Sequence, residues 1–530
     1  MMRRTIFIGM LVMGLLLTGC SYIKGGGSSK KGGDHDFTIS FYDRGVIPKD
    51  AGSPEDNTWS KWIIENSGVK PKYEIIPRWE SLSKFNVLLA SGDEPDVIQE
   101  YSGEFKEDLY RDKQIIPVDD MIEEHSTFYK ELLEKYPALR TAGTKSDGKL
   151  YEFGNIKEMS PFGTLFVRKD WLDKFDLKVP ETIEELNHVI QVFSEEDPNE
   201  SGEDDTYGLA IWEGQIIDQM FQNVNWVLED GKVIKDWDRL QAATEFKKNL
   251  YDNGYIYKDF LTDNNNEKQK QLFLQGKVGV VTGRINTMAD YQFYKSFRDN
   301  NPEAELIPIA FPETEFGQFS PLAENPIQMT TVVTSEAENF EAIMKYIDFM
   351  SSTSTTKAVL YGFEDEHYEE SEDGCPVIID EEKFENDVSW TIDYQMISAK
   401  IELGECASLK NQLDPDVPVQ KEFIDILEKA EELYITPERP LPWISHREHM
   451  PLFPKELNTI NSSVWDAMNE KITKAIVSGN SYSVEQAIDE AKADWMKGDG
   501  DQLEDWMEEW YEENKDDALL LDDFYEQFTN

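Results

Sequence analysis

Strand and helix patterns alternate at the start of the globular part of this chain, and that order limits the folds it can adopt. FTISFYD, which begins at Phe37, alternates as a strand does, and KYEIIP and the stretch 96–98 are typical of two further strands. A helix carrying Trp59 and Trp62 separates the first two strands, and a helix over 82–90 separates the last two. This order predicts an α/β domain with a largely parallel sheet.

A second α/β series follows the first. TLFVRKDWL, TYGLAIW and VGVVTG are typical of strands, helical stretches such as 182–193 lie between them, and the pattern is mostly helical from Phe340 onward. A chain of 530 residues is also too long for one hydrophobic core. The sequence therefore predicts an α/β protein with two or more domains.

The amino terminus has the pattern of an export signal. Arg3 and Arg4 precede an apolar run, Ile6 to Leu17, which is shorter than the about 20 residues that a membrane-spanning helix needs. The run ends in LTGC, which resembles a bacterial lipobox and implies cleavage after residue 19 and a lipid on the thiol of Cys20. The alternative is an ordinary secretory signal with an incidental cysteine. Both interpretations predict export.

Residues 20–36 are rich in Gly, Ser and Lys, and they are expected to form a flexible tether between lipid and fold. The formal net charge of −53 excludes binding to nucleic acid through its phosphates and opposes contact with anionic lipid headgroups. If Cys20 carries a lipid, Cys375 and Cys406 remain. They can pair outside the cell, and the sequence leaves the paired and free states both open.

Several segments carry a family resemblance. In chain order they are LLASGDEPDVI, LFVRKDWLDKFDLKVPETIEEL, DPNESGEDDTYGL, FLQGKVGVV and YGFEDEHY. Together they resemble bacterial extracellular solute-binding proteins of the carbohydrate-uptake type, in the large oligosaccharide-binding lipoprotein branch of Gram-positive bacteria. The resemblance runs from Phe37 to Trp495.

The resemblance implies a two-lobe periplasmic-binding-protein-like fold of type 2, with a hinge between the lobes and a ligand cleft at their interface. Lobe one is expected to comprise residues 37–162 and 327–365, and lobe two residues 163–325 and 366–496. It also implies a monomeric receptor, held on the outer face of the cell membrane by its lipid, that delivers an oligosaccharide to the permease subunits of an ABC importer. Clefts of this kind lie beyond the carboxyl ends of strands.

Sugar recognition requires flat rings that cover the apolar faces of a pyranose and planar polar groups that bond its hydroxyls. Candidates are aromatic or polar residues near predicted strand ends or in loops. Each can instead be a packed core ring or a solvated surface group. The predicted ligand-binding residues are Asp43, Arg44, Trp79, Glu100, Tyr101, Trp212, Arg284, Trp390 and Trp443.

The loop DPNESGEDDT, residues 197–206, places oxygen-bearing residues at the spacing of an EF-hand calcium loop. The predicted ligands of a structural Ca²⁺ are Asp197, Asn199, Ser201, Glu203 through its carbonyl, and Asp205. Two features depart from the pattern, since Ser201 is a weak ligand and position 12 is Gly208 instead of Glu. The alternative is an acidic turn that precedes the strand TYGLA.

No catalytic residue or catalytic cofactor is predicted, because the sequence has no nucleophile elbow, P-loop or dinucleotide fingerprint. Carboxylate pairs carry no information in a chain with 105 acidic residues. The rival functions are a surface-attached carbohydrate-active enzyme and a receptor that feeds a sensor kinase.

The acidic segment 497–530 lies outside the family pattern. Leu503, Trp506, Met507 and Trp510 have helical spacing, which predicts one amphipathic helix docked on lobe two. A partner-binding tail is the alternative.

Overall fold

A computed structural model of the chain describes residues 35–212, 214–371, 374–446 and 449–529. The predicted signal sequence, Cys20 and the tether up to residue 34 lie outside the described residues. The strands are β1 (Phe37–Asp43), β2 (Pro71–Pro77), β3 (Val97–Gln99), β4 (Glu152–Ile156), β5 (Gly163–Arg168), β6 (Tyr207–Ala210), β7 (Val227–Glu229), β8 (Lys232–Ile234), β9 (Val278–Arg284), β10 (Leu306–Pro308), β11 (Ile327–Val333), β12 (Tyr368–Glu370) and β13 (Pro376–Ile378).

The helices are α1 (Thr58–Ser67), α2 (Ser81–Ser91), α3 (Gly103–Arg111), α4 (Asp119–His125), α5 (Phe128–Lys135), α6 (Pro137–Gly143), α7 (Lys169–Lys174), α8 (Ile183–Glu195), α9 (Gly214–Met220), α10 (Trp237–Asp252), α11 (Glu267–Leu274), α12 (Met288–Asn300), α13 (Phe340–Ser351), α14 (Thr353–Tyr361), α15 (Glu381–Asp387), α16 (Pro418–Tyr434), α17 (Lys455–Val477), α18 (Val484–Lys497), α19 (Asp501–Asn514) and α20 (Leu521–Phe528). Within the described ranges, no helix combines the length and apolar character that crossing a membrane requires.

The first sheet has five strands in the order β2-β1-β3-β11-β4. β1 pairs in parallel with β2 and β3, as the strand and helix alternation predicts. β11 is antiparallel to both β3 and β4, so four of the five strands run in one direction and the largely parallel sheet contains one antiparallel strand. The sequence pattern missed this because periodicity carries no information on how distant strands pair.

β1 is buried on both faces of this sheet. Phe37, Ile39 and Phe41 face one core cluster, and Tyr42 faces a second that includes Phe85 of α2. Successive side chains of a strand point to opposite faces, so helices must cover the sheet on both sides. The first lobe is therefore layered helix, sheet, helix.

The start of α1 shows how local sequence positions these layers. The side chain of Asn57 accepts a hydrogen bond from the backbone N–H of Ser60, and the Ser60 hydroxyl accepts one from the N–H of Asn57. This reciprocal capping satisfies two of the amide groups that a helix start leaves unpaired. Gly68 ends the helix at a φ of 70°, a left-handed conformation that favours glycine.

The second sheet has four strands in the order β10-β5-β9-β6. β6 and β9 are parallel, whereas β5 is antiparallel to both β9 and β10. Leu165 and Val280 face one core cluster, and Phe166 and Val281 face another, so this sheet is also covered on both faces. The chain thus folds into two α/β lobes.

Crossing segments join the sheets at one edge of each. Residues 157–162 lead from β4 to β5, residues 309–326 lead from β10 to β11, and Pro161 and Ala323 form a bridge between the two segments. Because β11 is antiparallel to β3 and β4, the carboxyl end of β4 lies at the same edge as those of β1, β2 and β3. Gly163, which starts β5, pairs with Arg284 at the end of β9. Both sheets therefore turn the carboxyl ends of their parallel strands toward the crossing, where a cleft forms.

The packing does not follow the predicted division at residue 366. Phe384, Trp390 and Tyr394 pack in the core around β1 and β11, whereas Phe423 of α16 packs with the second sheet. An amphipathic helix can bury its stripe against either core, and its sequence does not say which. The domain boundaries stay a prediction.

The acidic carboxyl-terminal segment forms two helices instead of one. Leu503 and Met507 of α19 are buried in a cluster with Trp226 and Trp495 of lobe two. Phe528 of α20 is buried in the core around β1 and β11. The last residues of the described chain therefore contact both lobes.

Cys375 and Cys406 form a disulfide, with their Cα atoms 5.0 Å apart. The sequence left this pairing open. The bond closes a loop over a sequence separation of 31, for which chain entropy alone stabilises the fold by about 3–4 kcal/mol.

Candidate functional site

The structure brings five of the predicted ligand-binding residues to one edge of the first sheet. Asp43 and Arg44 stand at the end of β1, Trp79 follows β2, and Glu100 and Tyr101 follow β3. The strands are parallel, so their carboxyl ends meet at the same edge. We call the residues at the carboxyl ends of β1, β2, β3 and β4 the lobe-one edge.

Arg44 is fixed by a buried carboxylate that the sequence did not suggest. Its Nε donates to both carboxylate oxygens of Asp393, at 2.9 and 3.0 Å, and the Asp393 side chain is 5% exposed. Burial raises the pKa of Asp393, and the guanidinium of Arg44 opposes that rise. Asp43 is exposed and accepts a hydrogen bond from the N–H of Gly45. Asp393 was missed because it lies in a short turn 349 residues after Arg44.

Arg78 is a second arginine of the lobe-one edge, and the prediction omitted it although it directly follows β2. Its guanidinium lies over the rings of Tyr42 and Tyr101, 4.8 and 5.1 Å from their centroids. These two rings stack with centroids 5.9 Å apart. Burial raises the pKa of Tyr101 to about 12, so its hydroxyl keeps its proton at neutral pH. Three side chains from three strands therefore form one packed unit.

Buried polar atoms at this edge have no hydrogen-bond partner among the described residues. They are Oη of Tyr42, Nε of Arg78 and Oε2 of Glu100. Burial, followed by the nearby charge of Glu100, raises the pKa of Tyr42, but no hydrogen bond of normal geometry joins the two side chains. A buried polar group left unpaired costs about 1–3 kcal/mol, and a ligand that bonds to these atoms would remove that cost.

Trp79 presents its ring at the same edge. The side chain is 80% exposed, and the guanidinium of Arg78 lies 5.6 Å from the ring centroid. Large aromatic side chains usually bury their area in a core, so a tryptophan this exposed beside a cleft is suited to covering the apolar face of a sugar.

The facing edge of the second sheet contains Trp212 and Arg284. Trp212 follows β6 and Arg284 ends β9, and because these strands are parallel both residues lie at the end nearest the crossing. The indole of Trp212 packs edge-on against Phe273 and Phe293, with its Nε1 buried and without a hydrogen-bond partner among the described residues. Arg284 is exposed and lies 4.4 Å from the ring centroid of Phe162.

A charged cluster that the prediction missed lies between the two edges. Lys157, which follows β4, forms an ion pair with Glu324 on the second crossing segment, and Asn286 of lobe two donates to the same carboxylate. Burial favours a higher pKa for Glu324, but Lys157 outweighs it and the pKa is lowered. Burial and the charge of Lys157 lower the pKa of Lys400 to about 8. No local pattern signals this cluster, because its members meet only in the folded chain.

The remaining two predicted tryptophans lie elsewhere. Trp390 is 6% exposed, and its indole donates to the carbonyl of Asn386 at 2.8 Å, so it is a core residue with a satisfied N–H. Trp443 is half-buried, with its ring 6.0 Å from that of His446, whose Nε2 lies 3.4 Å from the carbonyl of Ala323 on the second crossing segment. Trp443 therefore lies near the hinge, and Trp390 does not contribute to the cleft.

The loop 197–205 is drawn together by its own hydrogen bonds. The carboxylate of Asp197 accepts from the backbone N–H groups of Ser201 and Gly202, each at 3.0 Å. The hydroxyl of Ser201 donates to Asp205 at 3.0 Å, and the amide of Asn199 donates to the same oxygen at 3.1 Å. These contacts place the polar side chains of the loop beside one another.

The donors of this loop are all oxygens. Asp197 and Asp205 supply carboxylates, Asn199 and Ser201 supply an amide and a hydroxyl oxygen, and Glu203 offers its carbonyl, which is the donor chemistry that Ca²⁺ prefers. Lys277 forms an ion pair with Asp205 at 2.6 Å, and this contact lowers the pKa of that carboxyl. Across the described residues, no group of three or more His, Cys, Asp or Glu side chains is placed to hold a metal ion. The loop therefore offers two carboxylates, and one of them is already paired with a lysine.

Comparison with known proteins gives a family and relatives. The family model described as "Bacterial extracellular solute-binding protein" matches residues 52–357. The polygalacturonan/rhamnogalacturonan-binding protein YtcQ of Bacillus subtilis is 27% identical over 455 residues, which cover 82% of this chain and 87% of that protein. Lipoprotein LipO of the same organism is 28% identical over 287 residues, covering 50% of this chain and 53% of LipO.

A solved structure gives the same fold. The Streptococcus pneumoniae ABC-transporter substrate-binding protein FusA in complex with kestose matches with a TM-score of 0.68 and 19% identity, covering 90% of this chain and 99% of that chain. Another structure of FusA is described as an EF-hand mutant in complex with fructo-nystose. The two-lobe architecture predicted from the sequence is thus confirmed.

Proposed function

Because this chain belongs to the family of bacterial extracellular solute-binding proteins, we propose that it binds an oligosaccharide in the cleft between its lobes and delivers it to an ABC importer. The observation that carries the proposal is the set of buried polar atoms without partners at the lobe-one edge, beside the exposed ring of Trp79. Hydroxyl groups can both donate and accept, so a sugar can satisfy such atoms while Trp79 covers its apolar face.

The names of the relatives support this ligand class. YtcQ is named for two polysaccharides, and FusA is described as an ABC-transporter protein in complex with kestose. The proposed contacts are those of the lobe-one edge, including Arg44 and Tyr101, with Trp212 and Arg284 from the facing lobe. Trp443 belongs to the proposal as a contact near the hinge.

Binding is expected to close the lobes by a hinge motion at the crossing segments. A ligand that contacts both edges interacts more strongly with the closed form than with the open form, and this difference shifts the population toward closure. The closed form would then dock on the importer. This role breaks no covalent bond and uses no catalytic residue, and the protein is proposed to act as a monomer.

The lipid anchor is part of the proposal. The sequence LTGC before residue 21 and the name of the relative LipO support a lipid on Cys20 and attachment to the outer face of the membrane. Replacement of Cys20 by Ser should release the protein into the medium, as measured by cell fractionation. Equal retention of the Ser variant on cells would contradict the proposed lipid anchor at Cys20.

Calcium binding by the loop 197–205 is also proposed, with a structural role. A bound Ca²⁺ would neutralise the carboxylates of Asp197 and Asp205 and hold the turn between α8 and β6. The description of FusA as an EF-hand mutant supports such a loop in a protein of the same fold. A chelator should lower the melting temperature and added calcium should restore it. An unchanged melting temperature would remove the calcium site.

The central test is ligand binding measured by titration calorimetry across a panel of oligosaccharides. Trp79→Ala should weaken the best ligand by about 30-fold, as expected for loss of about 2 kcal/mol at an aromatic contact. Met496→Ala, at another exposed apolar residue of 58% exposure on α18, is the matched control and should bind as the unaltered protein does. Equal affinity of both variants would contradict the assignment of the edge, and recovery of shortened sugars would indicate an enzyme.

A further inference from the structure

The charges at the lobe-one edge balance one another. Arg44 is paired with Asp393, and Lys157 is paired with Glu324. Each pair brings one positive and one negative charge to the wall of the cleft, so neither leaves a net charge for a ligand to neutralise. A wall built to hold an anionic sugar would instead leave its cations without carboxylates.

Two further charges at this edge also offset one another. Arg78 and Glu100 carry opposite charges, and both act on the hydroxyl of Tyr42, which lies between them at this edge. Glu100 is 2% exposed, and its Oε1 accepts from the N–H of Ser102 at 2.9 Å, so its other oxygen is held in place at the edge. The positive charge of Arg78, which follows β2, is therefore accompanied by a fixed negative charge after β3, on the other side of β1.

The unpaired atoms of the cleft include both donors and acceptors. Nε of Arg78 and Nε1 of Trp212 can only donate, whereas Oε2 of Glu100 and Oδ1 of Asn286 can only accept. A hydroxyl can satisfy either kind of atom. A carboxylate can satisfy only the donors, and it would be repelled by the oxygen of Glu100.

From this balance we infer that the cleft selects an uncharged oligosaccharide and rejects one that carries uronic acid residues. The inference rests on the proposed function and names its substrate class. The net charge of −53 acts in the same direction, because it makes the approach of an anion unfavourable. The name of YtcQ includes polygalacturonan, a polymer of acidic sugars, so the inference separates this chain from that relative.

The test compares matched ligands on the full chain by titration calorimetry. The pairs are xylo-oligosaccharides with and without a glucuronic acid branch, and methyl-esterified and free oligogalacturonides, with fructo-oligosaccharides as a further neutral series. The neutral member should bind at least 10-fold more tightly, and its affinity should not change when salt is raised from about 0.05 to about 0.5 M. Tighter binding of the acidic member would overturn the inference. Binding of no oligosaccharide of either kind would overturn the proposed function itself.

Glu100→Gln tests whether the carboxylate of Glu100 causes the rejection of acidic sugars. The substitution keeps the shape of the side chain and removes its charge, so it should narrow the difference between neutral and acidic ligands by about 10-fold. Asp489→Asn, which removes one exposed carboxylate from α18, controls for the change in net charge. Melting temperatures of both variants verify folding. An equal effect of the two variants would overturn the role of Glu100.

Discussion

Two buried polar clusters of lobe one lie in the same sheet and differ in whether their charges are paired with opposite charges. In the first, which we call the core ion network, Lys106 and Lys145 each contact one oxygen of Glu152 at 2.6 Å. In the second, the edge cluster, Tyr42, Arg78 and Glu100 leave buried polar atoms without partners among the described residues. Glu152 begins β4, so the core ion network lies away from the lobe-one edge, where β4 ends.

The difference separates stability from binding. The core ion network is closed to solvent, with Lys106 1% and Glu152 4% exposed, and every charge has an opposite charge beside it. Such a network can only hold the fold. The edge cluster carries a desolvation cost in the free protein, and a ligand that bonds to its polar atoms would remove that cost. Substitutions in the first cluster should therefore change unfolding, and those in the second should change affinity.

Lys106→Met is expected to have the largest effect. It removes a cation from a fully buried carboxylate, and the free energy of unfolding should fall by about 3–5 kcal/mol. Urea unfolding measures the change. Lys61→Met is the control, since Lys61 pairs with Asp56 at the surface with side chains 63% and 75% exposed, and it should change stability by less than about 1 kcal/mol. Equal stability of the two variants would show that the core ion network does not hold the fold.

Arg78→Met should weaken ligand binding and leave stability nearly unchanged, in contrast to Lys106→Met. The ligand loses a guanidinium donor, so its affinity should fall by about 30-fold, while the free energy of unfolding should change by less than about 1 kcal/mol. Arg140→Met is the matched control. Arg140 lies away from the lobe-one edge and forms a partly exposed ion pair with Asp119, with 2.8 Å between the charged atoms. Unchanged ligand affinity of Arg78→Met would show that the edge cluster does not bind the ligand.

The sequence predicted the parts of the edge that follow from local order. Asp43, Arg44, Trp79, Glu100 and Tyr101 were identified because strand ends can be recognised from periodicity, and parallel strands end at one edge. Arg78 satisfies the same rule and was overlooked.

The rest depends on contacts between distant residues. Asp393 contacts Arg44 from a turn 349 residues later in the sequence. Lys400 lies near Lys157 only in the folded chain, where the crossing segments bring the two lobes together. Trp390 lies in the turn after α15, as a loop residue does, but its ring packs into the core. No periodicity encodes such pairings, and the antiparallel return of β11 was missed for the same reason.

The change with pH in the free energy of unfolding that comes from the core ion network should be smaller than the loss caused by Lys106→Met. Burial favours a higher pKa for Glu152, but Lys106 and Lys145 outweigh it and lower the pKa. Stability from this carboxyl is complete above its unfolded pKa of about 4.3, and it is lost as the pH falls through the lower folded value. The stability gap between the unaltered protein and Lys106→Met should therefore narrow below that pH, by at most about 1.4 kcal/mol per pH unit. Urea unfolding at several pH values measures it, and a constant gap would contradict the assignment.

Tyr42→Phe should have the smallest effect on stability and on ligand affinity, and its pattern should differ from that of Tyr129→Phe. The buried hydroxyl of Tyr42 has no partner among the described residues, so its removal should leave stability unchanged or raise it by up to about 1 kcal/mol. Ligand affinity should fall by about 3- to 10-fold, because one hydrogen bond in the complex is lost. Tyr129→Phe is the control within the same lobe, since its buried hydroxyl accepts from the N–H of Gly154 at 2.9 Å and its loss should cost about 1 kcal/mol of stability without changing affinity. Thermal unfolding should show a loss of stability only for Tyr129→Phe, and calorimetry should show a loss of affinity only for Tyr42→Phe. A Tyr42 variant that loses stability as the Tyr129 variant does would mean that the edge hydroxyl is already satisfied in the free protein.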